Sequence, residues 1–149
     1  MRHEEKRIVS LPEELLEKVE GIAKHVESSH GLPLNADSLK TFLEDRSCVF
    51  HSVKVLFDAK PLKEDEYGYM HQVDRDPTKG FVLFLHPDFR DRPELHPALI
   101  TYQLAVVNFG QNVDPEVAEY LGAKLVGMEV EAYYQHLCEL TDSLKGTAT

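Results

Sequence analysis

Residues 47–58 read Ser47-Cys48-Val49-Phe50-His51-Ser52-Val53-Lys54-Val55-Leu56-Phe57-Asp58, and within them the periodicity of the chain changes. Val49, His51, Val53, Val55 and Phe57 alternate with Cys48, Phe50, Ser52, Lys54 and Leu56, and β-branched residues are frequent, which is the two-residue period of a strand. Two further strands are predicted downstream. Tyr67 to Val73 and Phe81 to His86 flank the turn-rich Asp74-Arg75-Asp76-Pro77-Thr78-Lys79-Gly80, a β-hairpin signal. Its connection is too short for a crossover helix, so the expected sheet is three-stranded and mostly antiparallel.

On both sides of this block the period is helical. Upstream, Ser10 and Glu13 form a capping-box pattern with Pro12 in the first turn, and Leu16, Val19, Ile22, Ala23 and Val26 carry a helix over about residues 11–29 until Gly31 and Pro33 stop it. A shorter pattern, Ala36, Leu39, Phe42 and Leu43, predicts a second helix. Downstream, Pro93 or Pro97 can occupy the first turn of a helix whose stripe is Leu95, Ala98, Leu99, Tyr102, Ala105, Val106 and Phe109, stopped by Gly110. Asp114-Pro115-Glu116 starts another, and Val117, Leu121, Leu125, Met128, Ala132, Leu137 and Leu140 extend it as one long helix to near Ser143, with Gly122 and Gly127 as bend points. The expected class is α+β: an N-terminal helix, the three-stranded sheet, then two helices, with residues 1–149 as a single domain.

Bulk composition agrees with one core. The chain has 149 residues, 42% hydrophobic and 28% charged, an ordinary globular balance long enough to bury more than half of its unfolded surface. Formal net charge is -10, from 16 basic and 26 acidic residues, without a Lys or Arg run to grip a phosphate backbone. Nucleic acid is therefore not an expected partner. Cys48 and Cys138 lack CxxC spacing and sit among apolar neighbours, as buried free thiols of a reducing compartment do. Arg2-His3-Glu4-Glu5-Lys6-Arg7 has no apolar core of a signal peptide, and no apolar run approaches the roughly 18 residues of a membrane span. A cytoplasmic protein with no membrane partner is the expectation.

Two local sequences carry a family resemblance. Ala98-Leu99-Ile100-Thr101-Tyr102-Gln103-Leu104-Ala105-Val106-Val107-Asn108-Phe109-Gly110 resembles the zinc-peptidase helix L-I-x-H-E-L-A-H-x-x-x-G, with Tyr102, Gln103 and Val106 where the motif has His, Glu and His. Gly127-Met128-Glu129-Val130-Glu131-Ala132-Tyr133 is similar to the E-x-E-A-D helix that supplies the third zinc ligand in gluzincins; Glu129 falls on the ligand position and Tyr133 on the Asp. Together with the element order, these segments resemble a minimal zincin. The resemblance implies a zincin-like fold whose peptidase chemistry is lost. Two imidazoles at i and i+4 hold one ion and the intervening Glu activates its water, and of the three ligand positions only Glu129 retains a ligating group. No cofactor is expected.

The function implied is a catalytically degenerate scaffold that binds a peptide or protein in the old cleft, lined by Phe84, His86, Tyr102, Gln103, Val106, Glu129 and Tyr133, with an edge strand available for strand addition. An alternative is a metal-dependent hydrolase with relocated ligands. Of the eight histidines, His51, His71 and His86 lie on predicted strands with His96 just beyond, and they are the candidates for such a site. A third reading is a small structural domain that dimerises through Tyr133, Tyr134, Leu137 and Leu140 of the last helix. No G-x-S-x-G elbow, no Cys beside a predicted base and no Gly-rich phosphate loop after a strand is present.

Overall fold

The computed structural model describes residues 11–145. Helix α1 spans Glu13–Ser29, and its buried residues Val19, Ile22, Ala23 and Val26 recur at the spacing of one helical face. Its N-cap position is held by Pro12, without a side-chain cap bond; Ser10, the expected cap, lies outside the described residues. Helix α2, Ala36–Leu43, opens on a reciprocal box in which the Asn35 side chain accepts from the Asp37 and Ser38 N–H groups while Ser38 Oγ accepts from the Asn35 N–H.

The strands are β1 Val53–Phe57, β2 Gly68–Gln72 and β3 Phe81–Leu85. Their spatial order is β1-β3-β2. Strand β3 pairs antiparallel with β2, in the register Gly68 to Leu85 and Met70 to Leu83, and parallel with β1, Val53 to Phe81 and Val55 to Leu83. Its sequence Phe-Val-Leu-Phe-Leu is the most apolar of the three, and it takes the centre, where both edges are covered. Strand β1 is shorter than the alternation at 47–58 predicts. Residues 47–49 instead form a turn in which Cys48 and Val49 donate their N–H groups to the Asp45 carbonyl.

Among the described residues three α-helices follow the sheet where two are predicted. Helix α3 is His96–Phe109, α4 is Pro115–Val126 and α5 is Val130–Lys145. The long C-terminal pattern divides because Gly127 takes the left-handed conformation at φ 71 and closes α4, with the Met128 N–H returning to Ala123 O. The side chains of Val53, Val55, Phe57, Met70, Phe81, Leu83 and Leu85 share one face of the sheet, and most of them join the helices in one continuous core. The opposite face carries Lys54, Leu56, Tyr69, His71, Val82 and Phe84, half-buried or exposed. Among the described residues no helix is long and apolar enough to cross a membrane.

Candidate functional site

A cleft of about 690 Å³ opens between α3, α5 and the segment entering β2. Helix α3 contributes Tyr102 and Gln103. Helix α5 contributes Tyr134, Leu137, Cys138, Thr141 and Asp142, whose spacing of three, one, three and one is a single helical face. Asp65, Glu66, Tyr67 and Gly68 close the third side. Backbone and helix approach closely here because residue 68 has no side chain: a Cβ at Gly68 would stand 2.9 Å from Leu85 Cδ2 and 3.1 Å from the Phe84 carbonyl, with Gln103 Nε2 at 3.7 Å. The Tyr67 phenol donates to Leu99 O at 2.8 Å. Burial, and next the neighbouring Tyr133, hold its pKa well above the ordinary tyrosine value, so it stays a neutral donor. The cleft thus combines three tyrosines, one amide and three carboxylates.

The residues singled out by sequence separate into several places. Tyr102 and Gln103 stand together on the cleft wall. Val106, one turn further along α3, is half-buried outside that wall. Glu129 is exposed ahead of α5 and gives its carbonyl to the Tyr133 N–H at 2.9 Å. Tyr133 is fully buried, its hydroxyl donating to Ala98 O at 2.6 Å and lying 3.1 Å from Thr101 Oγ1, so that it ties α5 to α3. Phe84 belongs to the outer sheet face, where His71 stands against it at 6.4 Å. His86 accepts the Asp88 N–H at 3.1 Å through Nδ1 and caps the turn after β3. Of the proposed dimer residues, Tyr133, Leu137 and Leu140 are buried in the chain's own core and Tyr134 is half-buried in the cleft. Tyr67 and Asp142 join the cleft through the fold, with no motif to mark them in the sequence, Asp142 from the α5 face it shares with Tyr134, Cys138 and Thr141.

The histidines on and near the sheet pack against rings or cap turns. His51 lies 6.0 Å from the Phe81 ring, His71 lies 6.1 Å from Tyr69, and His96 Nε2 is 2.6 Å from Phe89 O. Among the described residues, three metal-type donors converge within 4.8 Å of one another elsewhere, at His25, Asp45 and Cys48. His25 Nε2 at 2.9 Å and His30 Nε2 at 2.8 Å meet the same Asp45 oxygen, Oδ2, while Oδ1 accepts the Ser47 N–H at 2.9 Å. His30 foremost, then the Ser47 N–H and His25, hold the Asp45 carboxyl far below the usual carboxylate range. Burial, then Asp45, pushes the Cys48 thiol up to about 12. The sequence carries this group only as the spacings His25-x4-His30 and Asp45-x2-Cys48, a weaker signal than the histidines of the strand segments. No family model, no curated protein and no solved structure matches the chain.

Proposed function

We propose that the chain is a binding module that takes an extended peptide segment bearing a basic side chain in the cleft between α3 and α5. One observation carries this reading: Asp65, Glu66 and Asp142 rim a hollow whose walls include Tyr67, Tyr102 and Tyr134. Carboxylates around aromatic faces suit a cation, since a Lys or Arg head over a tyrosine ring gains about 0.5–2 kcal/mol and its stem packs on the apolar wall. Strand β2 has β3 on one side and no strand on the other among the described residues, the kind of edge to which an extended segment can add. The resemblance to a zinc peptidase enters through Tyr102 and Gln103, which occupy the cleft wall in place of the motif's first His and Glu. With a phenol and an amide there, these positions recognise a ligand and supply neither an imidazole ligand nor a carboxylate base.

The test is retention of hexapeptides from an immobilised library in which a single position is Lys or Arg in one half and Asp or Glu in the other. The basic half is expected to be enriched, and Tyr102→Ala and Asp142→Asn are each expected to weaken the best peptide roughly tenfold, the effect of about 1.4 kcal/mol. Equal retention of both halves, or binding indifferent to Tyr102→Ala in a variant with unchanged circular dichroism, refutes the reading.

A further inference from the structure

We propose that His25, Asp45 and Cys48 form a zinc-binding site at the C-terminal end of α1, with His30 positioning the Asp45 carboxylate. The proposal is independent of the cleft, because none of these residues lines it.

Geometry is the first argument. Zinc bonds of about 2.0–2.2 Å to nitrogen or oxygen and about 2.3 Å to sulfur place tetrahedral ligand atoms roughly 3.3–3.7 Å apart. The three donor atoms already lie within 4.8 Å of one another. His25 Nε2 and Asp45 Oδ2, at 2.9 Å, need to part by about 0.4 Å to admit the ion, a displacement within reach of side-chain rotation because the His25 side chain is 38% exposed.

Chemistry is the second. Imidazole nitrogen and thiolate sulfur select a borderline ion over calcium or magnesium, which take oxygen. A neutral imidazole, one carboxylate and one thiolate cancel the charge of a divalent ion, which suits the buried sulfur: Cys48 is 1% exposed. On binding, the Cys48 S–H proton leaves to solvent and the S–Zn bond replaces it, with no change of oxidation state.

Preorganisation is the third. Asp45 is held in place by the Ser47 N–H on Oδ1 and by His30 on Oδ2. The backbone of Cys48 is fixed to α3 by Asn108, whose Nδ2 donates to Cys48 O at 2.7 Å and whose Oδ1 accepts the Phe50 N–H at 3.0 Å. The His30 Nδ1 stands 3.5 Å from Thr41 Oγ1, whose hydroxyl donates to Ser38 O at 3.2 Å. Outer partners of this kind orient metal ligands. The ion would fasten the end of α1 to the turn after α2.

The experiment uses the untagged full chain, stripped with chelator and titrated with zinc against a chromophoric competitor, then with cobalt. Expected are one equivalent of zinc and, with a water completing the three protein ligands, a cobalt complex with the visible bands of tetrahedral coordination and a near-ultraviolet thiolate-to-cobalt band. Cys48→Ser abolishes the thiolate band. His25→Gln and Cys48→Ser each weaken zinc by roughly a hundredfold or more, whereas His30→Gln keeps the thiolate band and weakens zinc by roughly ten- to a hundredfold, the range of outer-partner losses. Less than a tenth of an equivalent bound, an octahedral cobalt spectrum of the wild-type chain, or a thiolate band surviving in Cys48→Ser overturns the proposal. The first two readouts need no variant, so a substitution that unfolds the chain leaves the question decided.

Discussion

Tyr133 passes over Gly122 so closely that a Cβ at residue 122 would overlap its hydroxyl, Cζ and Cε2. The glycine is a packing requirement of the α4–α5 contact, on a helix whose φ values any residue adopts. Gly122→Ala is expected to destabilise the chain by about 2–3 kcal/mol, the scale of overpacking a filled core, and the midpoint of urea unfolding measures it. Tyr133→Phe alone is expected to cost only about 1 kcal/mol. Ala98 O lies inside α3, and Thr101 Oγ1 keeps its bond to Pro97 O at 2.8 Å, so neither atom is stranded. Combining the two substitutions recovers only part of the glycine effect, since Cζ and Cε2 overlap the new methyl even when the hydroxyl is gone. Full recovery would mean that the hydroxyl alone sets the spacing. The same phenol explains why Tyr133 serves structure in place of recognition. Burial holds its pKa above the ordinary value, the main cause being desolvation, and a neutral donor bound to a helix carbonyl is a fixed strut.

Between elements, α1 and α4 meet through the Tyr120 hydroxyl, which donates to Glu20 Oε2, and through Lys124 Nζ at 3.2 Å from the same oxygen. The Tyr120 bond is the largest cause lowering the Glu20 carboxyl, while burial, then Glu20, raises Tyr120 to about 12. A lowered carboxyl contributes stability above its unfolded pKa and loses it as pH falls through the folded value. A raised phenol contributes below its unfolded pKa and loses it as pH rises through about 12. The difference in unfolding midpoint between wild type and Tyr120→Phe is thus expected to be flat from about pH 5 to about pH 10 and to shrink on either side; its size is small because Glu20 is 42% exposed. A difference that grows below pH 4 contradicts the assignment. At α2, Asn35→Ala removes the box around Ser38 and is expected to cost about 1 kcal/mol by the same assay. That box stands in the sequence as Asn35-Ala36-Asp37-Ser38, a weak signal because the pattern's third helical residue is ordinarily Glu or Gln. Element identity was legible wherever a period of 3.6 or 2 ran long enough, as in Val19 to Val26 or Phe81 to Leu85. The place where α4 ends was less so. Gly127 is read as a bend or as a stop with equal ease until its left-handed φ is seen, and the parallel pairing of β1 with β3 depends on a centre strand chosen by tertiary burial. For the cleft, Tyr102 and Gln103 sit at adjacent positions of a helix the apolar stripe predicts, whereas Asp65 and Glu66 read as a wet loop because their approach to α5 is set by folding alone.

For the molecule as a whole, the charge of -10 raises the question of whether a basic peptide would be held by the cleft or merely drawn to an acidic body. Screening separates the two. At physiological ionic strength the Debye length is about 8 Å, so carboxylates across the chain contribute little to a bound peptide, while those on the cleft rim lie within reach of its cation. Affinity for the best basic peptide is expected to fall as salt rises from about 50 to 500 mM, and the fall should have a local origin. Asp142→Asn removes a rim charge and should flatten the dependence, because fewer screened contacts remain. Glu17→Gln, on an exposed face of α1 outside the cleft, should leave the slope parallel to that of the wild type and alter at most the association rate. Equal flattening by both substitutions would mean that the acidic body as a whole attracts the peptide, and the cleft would lose its claim as the recognition site. A slope unchanged by either would place the basic side chain away from Asp142. Binding carried by the tyrosine faces alone would instead show almost no salt dependence in the wild type together with a loss on Tyr102→Ala, because stacking and apolar contact survive screening that an ion pair does not.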